Sequence, residues 1–188
     1  HKWRRAFSVL SDKRCRLWGD IQGCTMAKRF LRLDFSDNAR DFFSIAVEPG
    51  VAMLDESNTH NRILLRWLGR LAAEASWEGQ SVNYFVRDDQ GGRLAEVVCQ
   101  PAIAADLTGI LKEDLAALKD RIEKAHPETT TERALHRCVS RCLKELLENP
   151  DRTDHDCYFF RYRDASGVWR LVWCWGYERR DRQSAPAV

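Results

Sequence analysis

Two short stretches of this chain carry the same plan, and together they limit what it can fold into. Val86-Arg87-Asp88-Asp89-Gln90-Gly91-Gly92-Arg93-Leu94 and Tyr162-Arg163-Asp164-Ala165-Ser166-Gly167-Val168-Trp169-Arg170-Leu171 both run apolar, Arg, Asp, turn, Gly, apolar. Asp and Gly suit such turns because the carboxylate accepts backbone N–H groups and glycine adopts positive φ without a steric cost. The flanks alternate as strands do: Val82, Tyr84 and Val86 before the first turn and residues 94–99 after it, then residues 157–163 and 168–177 around the second. Two β-hairpins are predicted. Shared turn chemistry explains their likeness at least as well as duplication does.

Between the hairpins the apolar period changes from two to about 3.6. After Pro101 and Asp106, Leu107, Leu111, Leu115, Leu118, Ile122 and Ala125 mark a long helix that stops at His126-Pro127. A second helix opens with the capping box Thr129-Thr130-Thr131-Glu132 and runs through Leu135, Val139, Leu143, Leu146 and Leu147 to Asn149-Pro150. The two read as an antiparallel pair. Residues 61–75 predict another amphipathic helix, with Arg62, Arg66 and Arg70 four apart on its polar side. Ser36-Asp37 offers an N-cap for a short helix through Ala39, Phe42 and Phe43, and residues 51–54 suit a short strand. Trp3, Phe7, Leu10, Leu17, Trp18 and Ile21 give the start of the chain a helical rhythm as well.

The expected fold is therefore α+β: an antiparallel sheet built from the two β-hairpins, packed against a helical pair, with additional N-terminal helices. The expected organisation is a basic helical segment over residues 1–32, a single α+β domain over 33–177, and a disordered charged tail over 178–188. A length of 188 residues with 44% hydrophobic positions suits one domain of this kind. No stretch approaches the roughly 18 apolar residues of a membrane-spanning helix. The chain opens on His1 and not Met, so it is read either as part of a longer protein or as keeping a tag remnant.

A formal net charge of +2 is too near balance to imply a polyanion partner for the whole chain. The positive charge is nonetheless concentrated at the start, where residues 1–32 hold nine Lys or Arg against two Asp. Seven cysteines at irregular spacing, in a chain long enough to build a core, point to a reduced, cytoplasmic setting.

The C-terminal hairpin is unusually aromatic. Side-chain alternation groups Tyr158, Phe160 and Tyr162 with Trp169, Leu171, Trp173, Trp175 and Tyr177 on one face, leaving Phe159, Arg161, Arg163, Val168, Arg170, Val172 and Cys174 on the other. A bare face of this kind would make a stacking platform for bases, with the arginines on phosphate. A core wall beneath the helices is the favoured reading, because large apolar faces are seldom left open to water. Lys2, Arg4, Arg5 and Arg14 form a basic face that could meet nucleic-acid phosphate or an acidic membrane surface, although ordinary solvation explains it first.

His136, Cys138, Cys142, His155 and Cys157 are zinc-type ligands, but neither a Cys-x-x-Cys pair nor a His-Glu-x-x-His helix is present, and no metal is expected. Cys157 with His155 could form a nucleophile pair oriented by Asp154 or Asp156, yet no route to a lowered thiol pKa is visible, so structural roles are favoured. Phosphate-binding glycine loops, serine-nucleophile elbows and dinucleotide fingerprints are absent, and no cofactor is expected.

The function expected from these features is a non-catalytic regulatory, sensory or protein-interaction domain of a larger intracellular protein, with or without a membrane anchor. Its expected partner is another protein, met through Arg4, Arg5, Arg14, Arg161, Arg163 and Arg170. The alternative is a nucleic-acid-binding module that uses the basic N-terminal helix and the Arg-bearing, aromatic C-terminal hairpin.

Overall fold

A computed structural model describes residues 27–36 and 41–179. The fold is α+β. In chain order the elements are β1 (Leu31–Asp34), β2 (Phe42–Ser44), β3 (Ala46–Glu48), β4 (Val51–Ala52), α1 (Thr59–Leu68), β5 (Glu74–Glu78) and β6 (Ser81–Phe85). They continue with β7 (Gln100–Pro101), α2 (Ala104–Thr108), α3 (Lys112–Lys124), α4 (Thr130–Glu148), β8 (Phe159–Arg163), β9 (Trp169–Trp173) and β10 (Tyr177–Arg179).

The two expected hairpins do not share one sheet. Strands β1, β6 and β5 form one three-stranded antiparallel sheet and β7, β8 and β9 another, while β2 with β10 and β3 with β4 form two-stranded ribbons. The C-terminal hairpin, β8 with β9, forms where its alternation placed it. The first does not, because both edges of β6 are already taken: Tyr84 faces Leu31 of β1 on one side and Ala75 of β5 on the other. Residues 94–99 find no free edge there, and among the described residues the return segment pairs with the outgoing backbone only through the bridge Arg87 to Arg93 and the bond from Leu94 N–H to the Val86 carbonyl.

The hairpin that does form around β6 turns through Gly79-Gln80, with Gly79 at φ 61°, as a two-residue turn with glycine first requires. It takes residues that the periodicity assigned to the end of a helix. α1 stops at Leu68, a 3-10 turn covers Gly69–Leu71, and Ala75 belongs to β5. The short helix expected through Phe42 and Phe43 is likewise strand β2, paired with β10. The remaining expected N-terminal helix lies outside the described residues. The boundary expected after residue 32 falls inside β1, and β10 carries the folded chain to Arg179.

The helices follow their stripes closely. Glu132 N–H donates to Thr129 Oγ1 at 3.1 Å, and the Glu132 carboxylate accepts from the backbone of Glu128 and Thr129. This is the reciprocal cap that the Thr-x-x-Glu pattern predicts. The long helix before it is interrupted at Gly109 into α2 and α3, yet Leu107, Leu111, Leu118 and Ile122 are all buried, so the apolar stripe persists through the break.

The core is continuous across the sheets. Phe159, Leu171, Val172, Trp173, Trp175 and Tyr177 are buried with Leu118, Leu135 and Val139 from the helices. Trp175 Nε1–H donates to the Ala73 carbonyl at 2.8 Å, and the Tyr84 hydroxyl donates to the Trp175 carbonyl at 2.7 Å. These bonds tie the C-terminal aromatic segment to the β5–β6 side of the molecule.

The hairpin's register corrects the expected grouping of its faces. Phe159 faces Trp173, Arg161 faces Leu171 and Arg163 faces Trp169. The five residues 164–168 make the turn, so odd positions on β8 oppose odd positions on β9, and Trp169 joins the arginine face. Arg161 and Arg163 lie over its indole, 4.6 and 4.7 Å from the ring centroid.

Candidate functional site

α1, the end of α3 and the loop leading into α4 enclose an open groove of about 520 Å³. Arg66 and Trp67 line it from the last turn of α1, Arg121 and Lys124 from the last turn of α3, and His126 and Glu128 from the loop. α3 ends at Lys124 with its cap residue Ala125 extended at ψ 135°, and Pro127 disfavours helical backbone at His126, so the chain leaves the helix as a loop.

The walls are held by bonds that run across the groove. Arg121 Nη1 donates to the Leu68 carbonyl at 2.8 Å, satisfying one of the acceptors that the end of α1 leaves open. Gly69, at φ 56° and ψ −134°, makes this possible: the conformation excludes side-chain-bearing residues, and a β-carbon there would lie 2.8 Å from Arg121 Nη1. Arg66 pairs with the buried Glu132, so the residue that caps α4 also fixes an arginine of the groove. That pairing, with the backbone N–H bonds it accepts, holds the Glu132 carboxyl below its ordinary value. Lys124 is well exposed and, among the described residues, pairs only with Asp120 one turn back, at 2.9 Å.

Trp67 meets His136 of α4 edge to face at 5.7 Å. The acceptor opposite His136 Nε2 is the Ile122 carbonyl at 2.8 Å, so that nitrogen carries the proton. The groove thus presents an indole and three cations on a rigid helical frame, with Asp120 and Glu128 among its lining residues. An extended segment carrying carboxylates and one apolar side chain matches this chemistry.

The sites expected from the sequence are dispersed. Arg4, Arg5 and Arg14 lie outside the described residues. Arg161 pairs with Asp106 at 3.0 Å and donates to Gln100, and Arg170 pairs with Asp164 at 2.8 Å and approaches Asp114 at 3.7 Å. Arg163 is exposed above Trp169. The supposed basic face is thus largely a set of internal ion pairs.

The zinc-type residues do not converge: among the described residues no three of His, Cys, Asp and Glu gather as a metal site. Nor do Cys157 and His155 form a working pair. His155 Nε2 meets the Leu146 carbonyl at 2.8 Å, closing the end of α4, while burial and the Asp156 charge push the Cys157 thiol up to about 11.

Sequence reasoning missed Arg121 and Lys124. Both stand off the apolar stripe of α3 just before the His126-Pro127 stop, a position that announces a helix end but not what will face it. It also missed a buried charge cluster: Arg152 pairs with Asp154 at 2.8 Å and with Glu178 at 2.7 Å, and the Tyr158 hydroxyl donates to Glu178 at 3.1 Å.

Compared with protein-family models, with curated proteins and with solved structures, the chain matches none. Among the described residues no helix is long and apolar enough to cross a membrane.

Proposed function

We propose that this chain is a non-catalytic protein-interaction domain that takes an acidic segment of a partner protein into the groove between α1 and α3. The observation that carries this reading is the groove itself, where Arg66, Arg121 and Lys124 surround Trp67. An anchoring aromatic beside rim charges gives affinity from the first and orientation from the second. Arg121 and Arg66 are already positioned by Leu68 and Glu132, so binding need not order them, which lowers its entropic cost. The nucleic-acid reading has less support, since it needs aromatic rings open for stacking and Phe160, Tyr162 and Trp173 of the C-terminal hairpin are buried.

The test is fluorescence anisotropy with a labelled Asp/Glu-rich peptide bearing one Leu, with a DNA duplex of similar charge as the comparison. The peptide should bind at low salt and weaken as salt screens the exposed charges. Lys124→Glu, at an exposed position, should weaken binding about tenfold, the ~1.4 kcal/mol expected when one rim charge is reversed, with the melting temperature unchanged. Equal affinity of wild type and Lys124→Glu for the peptide would remove the groove from consideration, and tighter binding of the DNA would favour the alternative.

A further inference from the structure

Two of the three cations of the groove already meet carboxylates of this chain: Arg66 pairs with Glu132 and Lys124 with Asp120. Arg121 is different. Among the described residues its bonded partner is the neutral Leu68 carbonyl, 2.8 Å from Nη1, and it forms no ion pair with Asp or Glu. The side chain is nonetheless fixed. Its bond holds Nη1 at the C-terminal end of α1, where the helix dipole favours a cation, and Gly69 leaves the space for it, since a β-carbon there would stand 2.8 Å from Nη1.

A guanidinium is planar, and its Nε–H and the neighbouring Nη2–H point the same way, as a fork that matches the two oxygens of a carboxylate. The Leu68 bond engages Nη1, so among the described residues this second edge is left unengaged. Arg121 is exposed and lines the groove together with Trp67. The lining also sets the charge of what can enter. With Arg66 and Lys124 matched by Glu132 and Asp120, Arg121 supplies the remaining guanidinium charge, while the Glu128 carboxylate stands among the same lining residues. A dianionic phosphate would meet twice the repulsion from Glu128 that a single carboxylate meets.

We propose that Arg121 is the specificity-determining residue of the groove, taking one carboxylate of the partner segment through two parallel hydrogen bonds from Nε and Nη2 while an adjacent apolar side chain of that segment lies against Trp67. This role rests on the groove taking an acidic segment, and it adds which residue reads the acid and which acid is read. Lys124, exposed and paired with Asp120, steers the segment and does not recognise it. Arginine is required at position 121, because a lysine ammonium keeps the charge but offers no planar fork.

The test is a double-mutant cycle followed by NMR titration of the full chain, pairing wild type and Arg121→Lys with a short peptide in which one Glu stands beside one Leu, and with the same peptide carrying Gln. Removing the carboxylate should weaken binding to wild type about tenfold or more, as for a hydrogen bond to a charged group, and should matter little to Arg121→Lys. The Arg121 Nε–H signal, identified by its absence from the variant, should move with the Glu peptide and stay with the Gln peptide. Lys124→Arg should reproduce the wild-type result. If Arg121→Lys weakens both peptides equally, Arg121 only supports the groove walls and the proposal is overturned, while the binding of the Asp/Glu-rich peptide and its sensitivity to Lys124→Glu leave the groove reading standing. Absence of binding by the Glu peptide overturns the proposal alone if the Asp/Glu-rich peptide still binds, and the groove reading with it if neither binds. A phosphoserine peptide bound more tightly than the Glu peptide would overturn the assignment of a carboxylate.

Discussion

The turns at residues 88–92 and 164–168 share one pattern of bonds to backbone N–H groups, to which the second adds bonds from the Ser166 hydroxyl and Arg170 to Asp164. Asp88 N–H donates to the Gly92 carbonyl and Asp164 N–H to the Val168 carbonyl, both at 2.9 Å, while Gly91 and Gly167 donate back to the Asp carbonyls. Asp88 Oδ1 accepts from Gln90 and Gly92, and Asp164 Oδ1 accepts from Ser166 and Val168, at 2.9–3.0 Å. Gly91 and Gly167 both hold positive φ, at 85° and 81°. Beyond the turns the likeness ends. The second carries two five-residue strands, and the first carries a single bridge.

The difference lies in what receives the flanking strands. β8 has an open edge for β9, whose own outer edge is then closed: Leu171 N–H donates to Asp114 Oδ2 at 2.9 Å, and Ala73 N–H donates to the Trp173 carbonyl at 2.9 Å. Asp114 is buried and holds Arg70 through two bonds of 2.9 Å, so the second hairpin is tied to α3 and to the 3-10 turn that follows α1. The first turn is tied by Arg93 to Glu74 and by Arg93 stacking over Phe85, contacts made at the surface. Equal turn chemistry does not give equal hairpins.

The comparison can be broken most strongly at Asp114. Asp114→Ala strips the half-buried Arg70 of its two-bond partner, leaving it only the more distant Asp89, and leaves Leu171 N–H unmet, so chemical denaturation should show a loss of about 3–5 kcal/mol. A loss under ~1 kcal/mol would show that β9 needs no such anchor.

Next in size is the glycine pair. Gly167→Ala forces a left-handed conformation on a side chain and should cost about 1–2 kcal/mol of global stability. Gly91→Ala imposes the same strain, but its turn can open without disturbing a strand pair, which caps the global cost at ~0.5 kcal/mol. Matching losses in the two variants would mean that the first turn belongs to the cooperative core after all.

A smaller effect is expected from exchanging the turn sequences. Replacing Asp89-Gln90 with Ala-Ser reproduces the second turn's interior in the first setting and should change stability by less than ~0.5 kcal/mol, with no new strand at residues 94–99 in the backbone chemical shifts. New strand shifts there would show that the turn, and not the free edge, limits pairing.

The smallest effect is the response to acid. The Ser166 hydroxyl bond and Arg170 hold the Asp164 carboxyl well below the usual carboxylate range. A folded value below the unfolded one means that the carboxylate stabilises the turn above the ordinary Asp range, near pH 4, and that this contribution is lost as pH falls further. Protection of the Ser166 and Val168 amides, taken relative to the intrinsic exchange rate at each pH, should fall on acidification in wild type and lose that pH dependence in Asp164→Asn. An unchanged acid response in the variant would assign the effect to another group.

Local chemistry was legible in the residues. The two Asp-Gly turns, the Thr129 to Glu132 cap, the stop before Pro127 and the apolar stripes of α3 and α4 each depend on side chains within a few positions of one another, and each formed where the pattern placed it. The groove was only half legible. Arg66 stood out in the Arg62, Arg66, Arg70 series, whereas Arg121 and Lys124 acquire meaning only when α3 ends beside α1.

Pairing was decided elsewhere. A strand edge accepts one neighbour, and nothing within residues 82–99 reveals that β1 and β5 occupy both edges of β6. The same holds for charge: Arg161 and Arg170 read as a free basic face until Asp106, Asp114 and Asp164 meet them. Turns and helix caps follow from sequence because their partners are near in the chain. Sheet edges and ion pairs follow from tertiary structure because hydrogen-bonding positions are finite, and only the packed arrangement determines which distant segment fills each one.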